Sequence, residues 1–198
     1  MNNLFSQAQF LKTVVRLSDL PVPEGREVAF LGRSNVGKSS TLNAIVQQKG
    51  LARTSRTPGR TQAINIFTLT PTSLKLIDLP GYGFAKAPKA VVNQWHQLID
   101  GYLRERECLA GLVLIMDIRH PLQGMDQAML DWLLESGLPA HVVLNKCDKL
   151  SRMQAQNTLK KLQLTFEAYP SVSLQLFSAS KKTGLDELRQ KILDWLKK

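Results

Sequence analysis

Cysteine is almost absent from this chain. Its two cysteines, Cys108 and Cys147, stand far apart and form no CxxC pair, which leaves neither a disulfide framework nor a zinc site to hold the fold. No apolar run approaches the roughly 20 residues that a membrane-spanning helix needs, and Met1-Asn-Asn-Leu-Phe-Ser6 has neither the basic opening nor the apolar stretch of a signal peptide. These absences predict a cytoplasmic protein with no membrane span. No internal repeat or low-complexity segment is visible, and no Ser-His-Asp or paired-carboxylate arrangement offers a hydrolytic site. Acidic residues are few, 16 against 26 lysines and arginines, for a net charge of +10. That surplus favours a polyanionic partner such as nucleic acid. The basic residues, among them Arg104, Arg106, Lys160, Lys161, Lys181, Lys182, Lys197 and Lys198, are spread over several helices rather than gathered in one arm, so a merely solvated basic surface remains an open reading.

What the chain does have is apolar content, 43 % over 198 residues, enough for one domain with a proper core. Strand-like runs near 27–32, 63–70, 73–78, 111–117, 140–145 and 173–178 alternate with helical stretches near 38–48, 89–105, 123–136, 151–168 and 184–197. Such alternation predicts an α/β fold with crossover helices. Gly111-Leu-Val-Leu-Ile-Met116 and His141-Val-Val-Leu144 are continuously apolar, as strands covered on both faces should be. Only Pro71 and Thr72 separate the second and third strands, too little for a crossover, so these two form a hairpin. The expectation is a mostly parallel six-stranded sheet with one antiparallel strand and helices on both faces, spanning 26–198. Residues 1–25, ending in Pro21-Val-Pro-Glu-Gly25, read as an N-terminal extension leading into that domain.

Ligands of open α/β sheets sit at the carboxyl ends of the strands, and every chemically suggestive motif here follows a strand. Gly32-Arg33-Ser34-Asn35-Val36-Gly37-Lys38-Ser39 is a GxxxxGK[ST] phosphate loop between an apolar strand and a helical run that includes Ser40. Its glycines let successive N–H groups turn inward around a di- or triphosphate, and the following helix presents its positive end to the same anion. Lys38 can reach the β- and γ-phosphates and the Ser39 hydroxyl can sit on Mg²⁺. Asp78-Leu79-Pro80-Gly81 is a DxxG element: Asp78 can hold the Mg²⁺ shell and the Gly81 N–H can bond the γ-phosphate. Asn145-Lys146-Cys147-Asp148 is an NKxD element. Its Asp148 carboxylate can accept from both N1–H and the exocyclic amine of guanine, a donor pair that adenine lacks. Asn145 braces the loop, the Lys146 stem covers the base and Cys147 is a small apolar spacer. Phe177-Ser178-Ala179 follows the last strand, where small residues allow an N–H near Ala179 to approach the guanine O6. A P-loop ATPase or kinase is the rival enzyme reading, and the NKxD element argues against it.

Together these elements resemble the signature motifs of translation-factor-related GTPases. The closer resemblance is to the EngB family of bacterial ribosome-assembly GTPases. It is carried by Gly32–Ser39, by Arg53-Thr-Ser-Arg-Thr-Pro-Gly-Arg-Thr-Gln62, by Asp78-Leu-Pro-Gly-Tyr-Gly-Phe84, and by Met116-Asp-Ile-Arg-His-Pro-Leu122. The resemblance implies a Ras-like P-loop GTPase fold, binding of GTP and GDP with Mg²⁺, and slow hydrolysis. It also implies a late task in maturing the large ribosomal subunit, through rRNA or ribosomal protein of its precursor, and a link to cell division and septation. By the same resemblance Thr61 is the switch threonine completing the Mg²⁺ shell beside Ser39 and Asp78, and Gly59 and Arg60 belong to the nucleotide site. Lys38, Thr61 and Gly81 then form the catalytic set. Asn35 occupies the position that in some relatives helps bind K⁺, so K⁺ stimulation is expected. Tyr82 stands where Ras-type enzymes place the water-orienting Gln, so the intrinsic rate should be slow. A monomer is expected, and a GTP-stabilised RNA-binding module in which hydrolysis is incidental remains open. His120 is read as a loop contact, His96 as a helix residue beside Trp95, and Trp132 and Trp195 as helix-packing residues.

Overall fold

Continuous apolar runs need cover on two faces, and the fold supplies it with helices on each side of one sheet. The structure is a computed structural model describing residues 3–52, 63–83 and 89–197. Its strands are β1 (Ala8–Val14), β2 (Glu27–Gly32), β3 (Ile64–Leu69), β4 (Lys75–Asp78), β5 (Leu109–Asp117), β6 (Ala140–Asn145) and β7 (Val172–Leu176), and its helices are α1 (Asn3–Ser6), α2 (Lys38–Val46), α3 (Lys89–Glu105), α4 (Met125–Ser136), α5 (Arg152–Thr165) and α6 (Leu185–Lys197). The sheet order is β1-β3-β4-β2-β5-β6-β7. Only β3 runs against the others, pairing antiparallel with β1 and β4, while β4-β2-β5-β6-β7 are parallel. Side chains along β2 alternate between two cores. Ala29 and Leu31 join Trp95, Ile99, Leu130, Leu133 and Leu162 on the face covered by α3, α4 and α5. Val28 and Phe30 join Leu42, Ile45, Leu188 and Ile192 on the face covered by α2 and α6.

The sheet has seven strands where six are expected from the sequence. The additional one, β1, comes from the segment read as an extension and pairs with β3 from Ala8↔Leu69 to Val14↔Ile64. Its signal is weak for a physical reason. As an edge strand it buries only Ala8 and Val14, and Phe10 and Leu11 stay 54 % and 46 % exposed, so neither a continuous apolar run nor a clean alternation marks it. The other elements fall close to expectation, with β6 and α3 at the expected bounds. Helix α5 starts where a capping box dictates, with the Ser151 hydroxyl accepting from Gln154 N–H and the Gln154 side chain accepting from Ser151 N–H.

At the amino end of β2, opposite the carboxyl ends where the motifs lie, Glu27 is fully buried. Arg106 donates to both its carboxylate oxygens, Nε at 2.9 Å and a terminal nitrogen at 2.7 Å, and the Tyr102 hydroxyl donates at 2.8 Å. Lys75 Nζ lies 3.7 Å away. Burial alone would raise the Glu27 carboxyl, but the hydrogen bonds from Arg106 and Tyr102 outweigh it and hold the group below its ordinary value of 4.5. The stability it contributes is therefore full above that value and lost as pH falls through the lowered one. Removing one partner strands a buried charge. Arg106→Ala is expected to cost about 3–5 kcal/mol in urea unfolding at neutral pH, and a loss below about 1 kcal/mol would show that the cluster is not a structural anchor.

Candidate functional site

The phosphate loop is shaped by close approaches that only glycine tolerates at two points. A Cβ at Gly32 would lie 2.5 Å from the Ile115 carbonyl oxygen, and one at Gly37, whose φ is +99°, would lie 2.4 Å from the Asn145 amide nitrogen. Val36 is buried and plugs the loop into the core. The N–H groups of Lys38, Ser39 and Ser40 open α2, where no intrahelical acceptor precedes them, so they form an anion-facing rim. The Lys38 ammonium pairs with the Asp78 carboxylate at the end of β4, and Asn65 Nδ2 reaches the other Asp78 oxygen at 3.4 Å. A buried carboxylate paired with a lysine, with the Ser39 hydroxyl nearby in sequence on α2, is a hard-oxygen donor set of the kind Mg²⁺ takes together with phosphate and water.

The Asp78–Gly81 turn is laced to the phosphate loop. Ser34 N–H donates to the Tyr82 carbonyl at 2.9 Å and Tyr82 N–H to the Gly32 carbonyl at 3.3 Å. Leu79 is fully buried in the core, and Pro80 is buried with its carbonyl accepting from Trp95 Nε1–H at 2.9 Å. These two residues therefore face the crevice with backbone rather than side chain. The Tyr82 ring also turns inward, and its hydroxyl donates to the buried Asp126 carboxylate at 2.6 Å. Arg33 faces the same Asp126 at 3.6 Å and donates to the His120 backbone carbonyl at 3.5 Å.

On the other side of the crevice, Asn145 joins three loops with one amide. Its Nδ2 donates to the Val36 carbonyl at 2.8 Å, and its Oδ1 accepts from Lys146 N–H at 2.8 Å and from Ala179 N–H at 3.4 Å. Lys146 Nζ donates to the Asn35 carbonyl at 2.8 Å, across residues whose φ values are +64° and +66°. The Asp148 carboxylate accepts from the Ser178 hydroxyl at 2.5 Å, which, with Lys149 nearby, lowers it below the ordinary carboxylate range. Cys147 is half-buried, its thiol pushed up first by burial, and its N–H donates to the Phe177 carbonyl at 3.1 Å. Phe177 is buried with its ring in the core.

The structure thus brings together the expected residues of 32–40, 78–81, 145–148 and 177–179 at the carboxyl ends of β2, β4, β6 and β7. Gly59, Arg60 and Thr61 lie outside the described residues. Sequence reasoning assigned no role to Asp117, which ends β5. It accepts from Arg119 Nε at 2.9 Å and from one terminal nitrogen at 2.7 Å, and meets Lys146 Nζ at 3.0 Å. The Arg119 hydrogen bonds, more than Lys146, hold it well below the usual carboxylate range. A carboxylate closing a buried strand at the sheet's carboxyl edge was the available signal. Asn145→Ala removes the shared amide from all three loops and is expected to cost about 2–4 kcal/mol in urea unfolding; a change under about 0.5 kcal/mol would mean the loops are held independently.

Comparison with known proteins agrees with this geometry. A family described as 50S ribosome-binding GTPase matches residues 27–146. The chain is 48 % identical over 194 residues to the probable GTP-binding protein EngB of Coxiella burnetii, covering 98 % of this chain and 94 % of that one. It is 50 % identical over 194 residues to the probable GTP-binding protein EngB of Aromatoleum aromaticum, covering 98 % and 89 %. A crystal structure of a probable GTP-binding protein EngB superposes with a TM-score of 0.69 at 24 % identity, over 86 % of this chain and 98 % of that one, and supports the fold. On the match across 27–146 and the identity over nearly its whole length, this chain belongs to the EngB family of GTP-binding proteins, a family of GTPases.

Proposed function

We propose that this protein is a slow GTPase whose nucleotide state controls its docking on the large ribosomal subunit during assembly, and that normal cell division depends on it. The observation that carries the nucleotide half of this reading is the single crevice in which Lys38 on Asp78 lies at one end and the Ser178-bonded Asp148 carboxylate at the other. In this reading the N–H groups of the phosphate loop and of the first turn of α2 take the phosphates, and Lys38 leaves Asp78 for the β- and γ-oxygens. Ser39, Thr61 and Asp78 would hold Mg²⁺, which neutralises charge on the phosphates. Gly81 reads the γ-phosphate, and Gly59 and Arg60 join the site when GTP is bound. Asn145 and Lys146 support the guanine, with Cys147 as spacer and Ala179 at its O6.

Slow turnover follows from Tyr82. Its ring is 1 % exposed with the hydroxyl on Asp126, and burial, then Asp126, pushes the phenol well above its ordinary range. It is a protonated core group that cannot orient water. An unassisted rate on the order of 10⁻⁴–10⁻³ s⁻¹ is expected, with stimulation by a ribosomal partner and by K⁺ beside Asn35. Hydrolysis should run faster in KCl than in NaCl at equal ionic strength. Equal rates would remove Asn35 from that role, and a rate for the protein alone above about 1 s⁻¹ would contradict the assignment of Tyr82.

The ribosomal half is supported by the family's description as 50S ribosome-binding and by the net charge of +10, which suits a phosphate-rich surface. No helix among the described residues is long and apolar enough to cross a membrane. The test is co-sedimentation with purified large subunits. Pelleting with a non-hydrolysable GTP analogue, weaker pelleting with GDP, and loss of binding as salt rises are the expected results. Absence of pelleting in every nucleotide state would contradict the reading, and equal pelleting in all states would favour the binding module in which hydrolysis is incidental.

A further inference from the structure

A planar trans peptide carries its carbonyl and its N–H on opposite sides, so whatever grips one sets the direction of the other. The trans peptide joining Pro80 to Gly81 is gripped in this way: the indole Nε1–H of Trp95, on α3, donates to the Pro80 carbonyl oxygen at 2.9 Å. Trp95 is only 3 % exposed. Its ring meets Tyr82 edge to face at a centroid distance of 6.0 Å, and Tyr82 is anchored in turn through its hydroxyl on Asp126 at 2.6 Å. The far side of the peptide rests on the phosphate loop, where a Cβ at Gly81 would lie 3.1 Å from the Gly32 carbonyl oxygen and 3.5 Å from the Ser34 nitrogen. The turn is clamped between an indole donor on one side and the phosphate loop on the other.

We propose that Trp95 is a positioning residue for recognition of the terminal phosphate: by holding the Pro80 carbonyl it aims the Gly81 N–H into the crevice, and it thereby sets the preference for GTP over GDP. The inference rests on the reading of this crevice as a GTP site with Gly81 at the γ-phosphate. A bond from Gly81 N–H to that phosphate polarises the same peptide and strengthens the bond its carbonyl accepts from the indole, because hydrogen bonds in series reinforce one another. GDP offers nothing at this point. The indole therefore contributes to binding of the triphosphate while leaving the diphosphate unaffected.

Phenylalanine at position 95 keeps an aromatic ring against Tyr82 and lacks the donor. Dissociation constants for GDP and for a non-hydrolysable GTP analogue are to be measured on the wild type, on Trp95→Phe and on Trp132→Phe, which alters a tryptophan remote from the turn. Trp95→Phe should weaken the analogue about fivefold, the net worth of one neutral hydrogen bond, with GDP within about twofold and Trp132→Phe unchanged. Equal weakening of both nucleotides would reduce the indole to a packing role and overturn the proposal, as would no change in either. Should Trp95→Phe fail to fold, the wild type still decides: its three indole N–H resonances are followed in ¹H–¹⁵N spectra, and the Trp95 signal alone should move downfield from GDP to analogue. An unmoved Trp95 signal with analogue bound overturns the inference while sparing the GTP reading. A wild type that binds neither nucleotide overturns both.

Discussion

The side-chain amide of Asn145 is the constraint on which the site depends. Three loops that follow different strands must agree in position to within a hydrogen bond, and this one group bonds Val36 from the phosphate loop, Lys146 from its own loop and Ala179 from the loop after β7. Gly37 completes the arrangement because any side chain there would strike that amide. The two ends of the crevice are therefore built as one object. Lys146 ties them a second time through the Asn35 carbonyl while Asp117 holds its ammonium from behind.

The fold separates this arrangement from the groups that anchor it. Glu27 and its partners Arg106, Tyr102 and Lys75 form a buried cluster at the amino end of β2, while the crevice opens at the carboxyl end of the same strand. Helix α3 runs between the two, with Tyr102 near its last turn on Glu27 and Trp95 on the Pro80 carbonyl. Lys38, paired with Asp78, sits at the more exposed crevice end. The Glu27 cluster is kept from solvent.

The central sheet was legible because burial on both faces writes itself as unbroken apolar sequence, as in β5 and β6. The strand β1 was not, because an edge strand that leaves Phe10 and Leu11 in solvent is held by its ladder to β3 rather than by its side chains. The motif residues were legible because glycine, lysine, aspartate and asparagine at those spacings each answer a chemical need of a nucleotide. What escaped were roles that depend on direction. Tyr82 could be recognised as unfit to orient water, yet its burial on Asp126 emerges only from packing. Trp95 reads as one more apolar helix residue until its indole nitrogen is seen on the Pro80 carbonyl, and Asp117 reads as the end of a strand until Lys146 is seen beside it.

The proposed function turns on selection of guanine by Asp148, whose carboxylate accepts from the Ser178 hydroxyl. The most direct measurement is displacement of a fluorescent GDP analogue by GTP, ATP and XTP, on the wild type and on Asp148→Asn. GTP and not ATP should displace the probe from the wild type. The variant should turn toward XTP, because its amide offers a donor where the xanthine carbonyl needs one. Equal displacement by ATP and GTP, or an unchanged base preference in the variant, would contradict selection of guanine by Asp148.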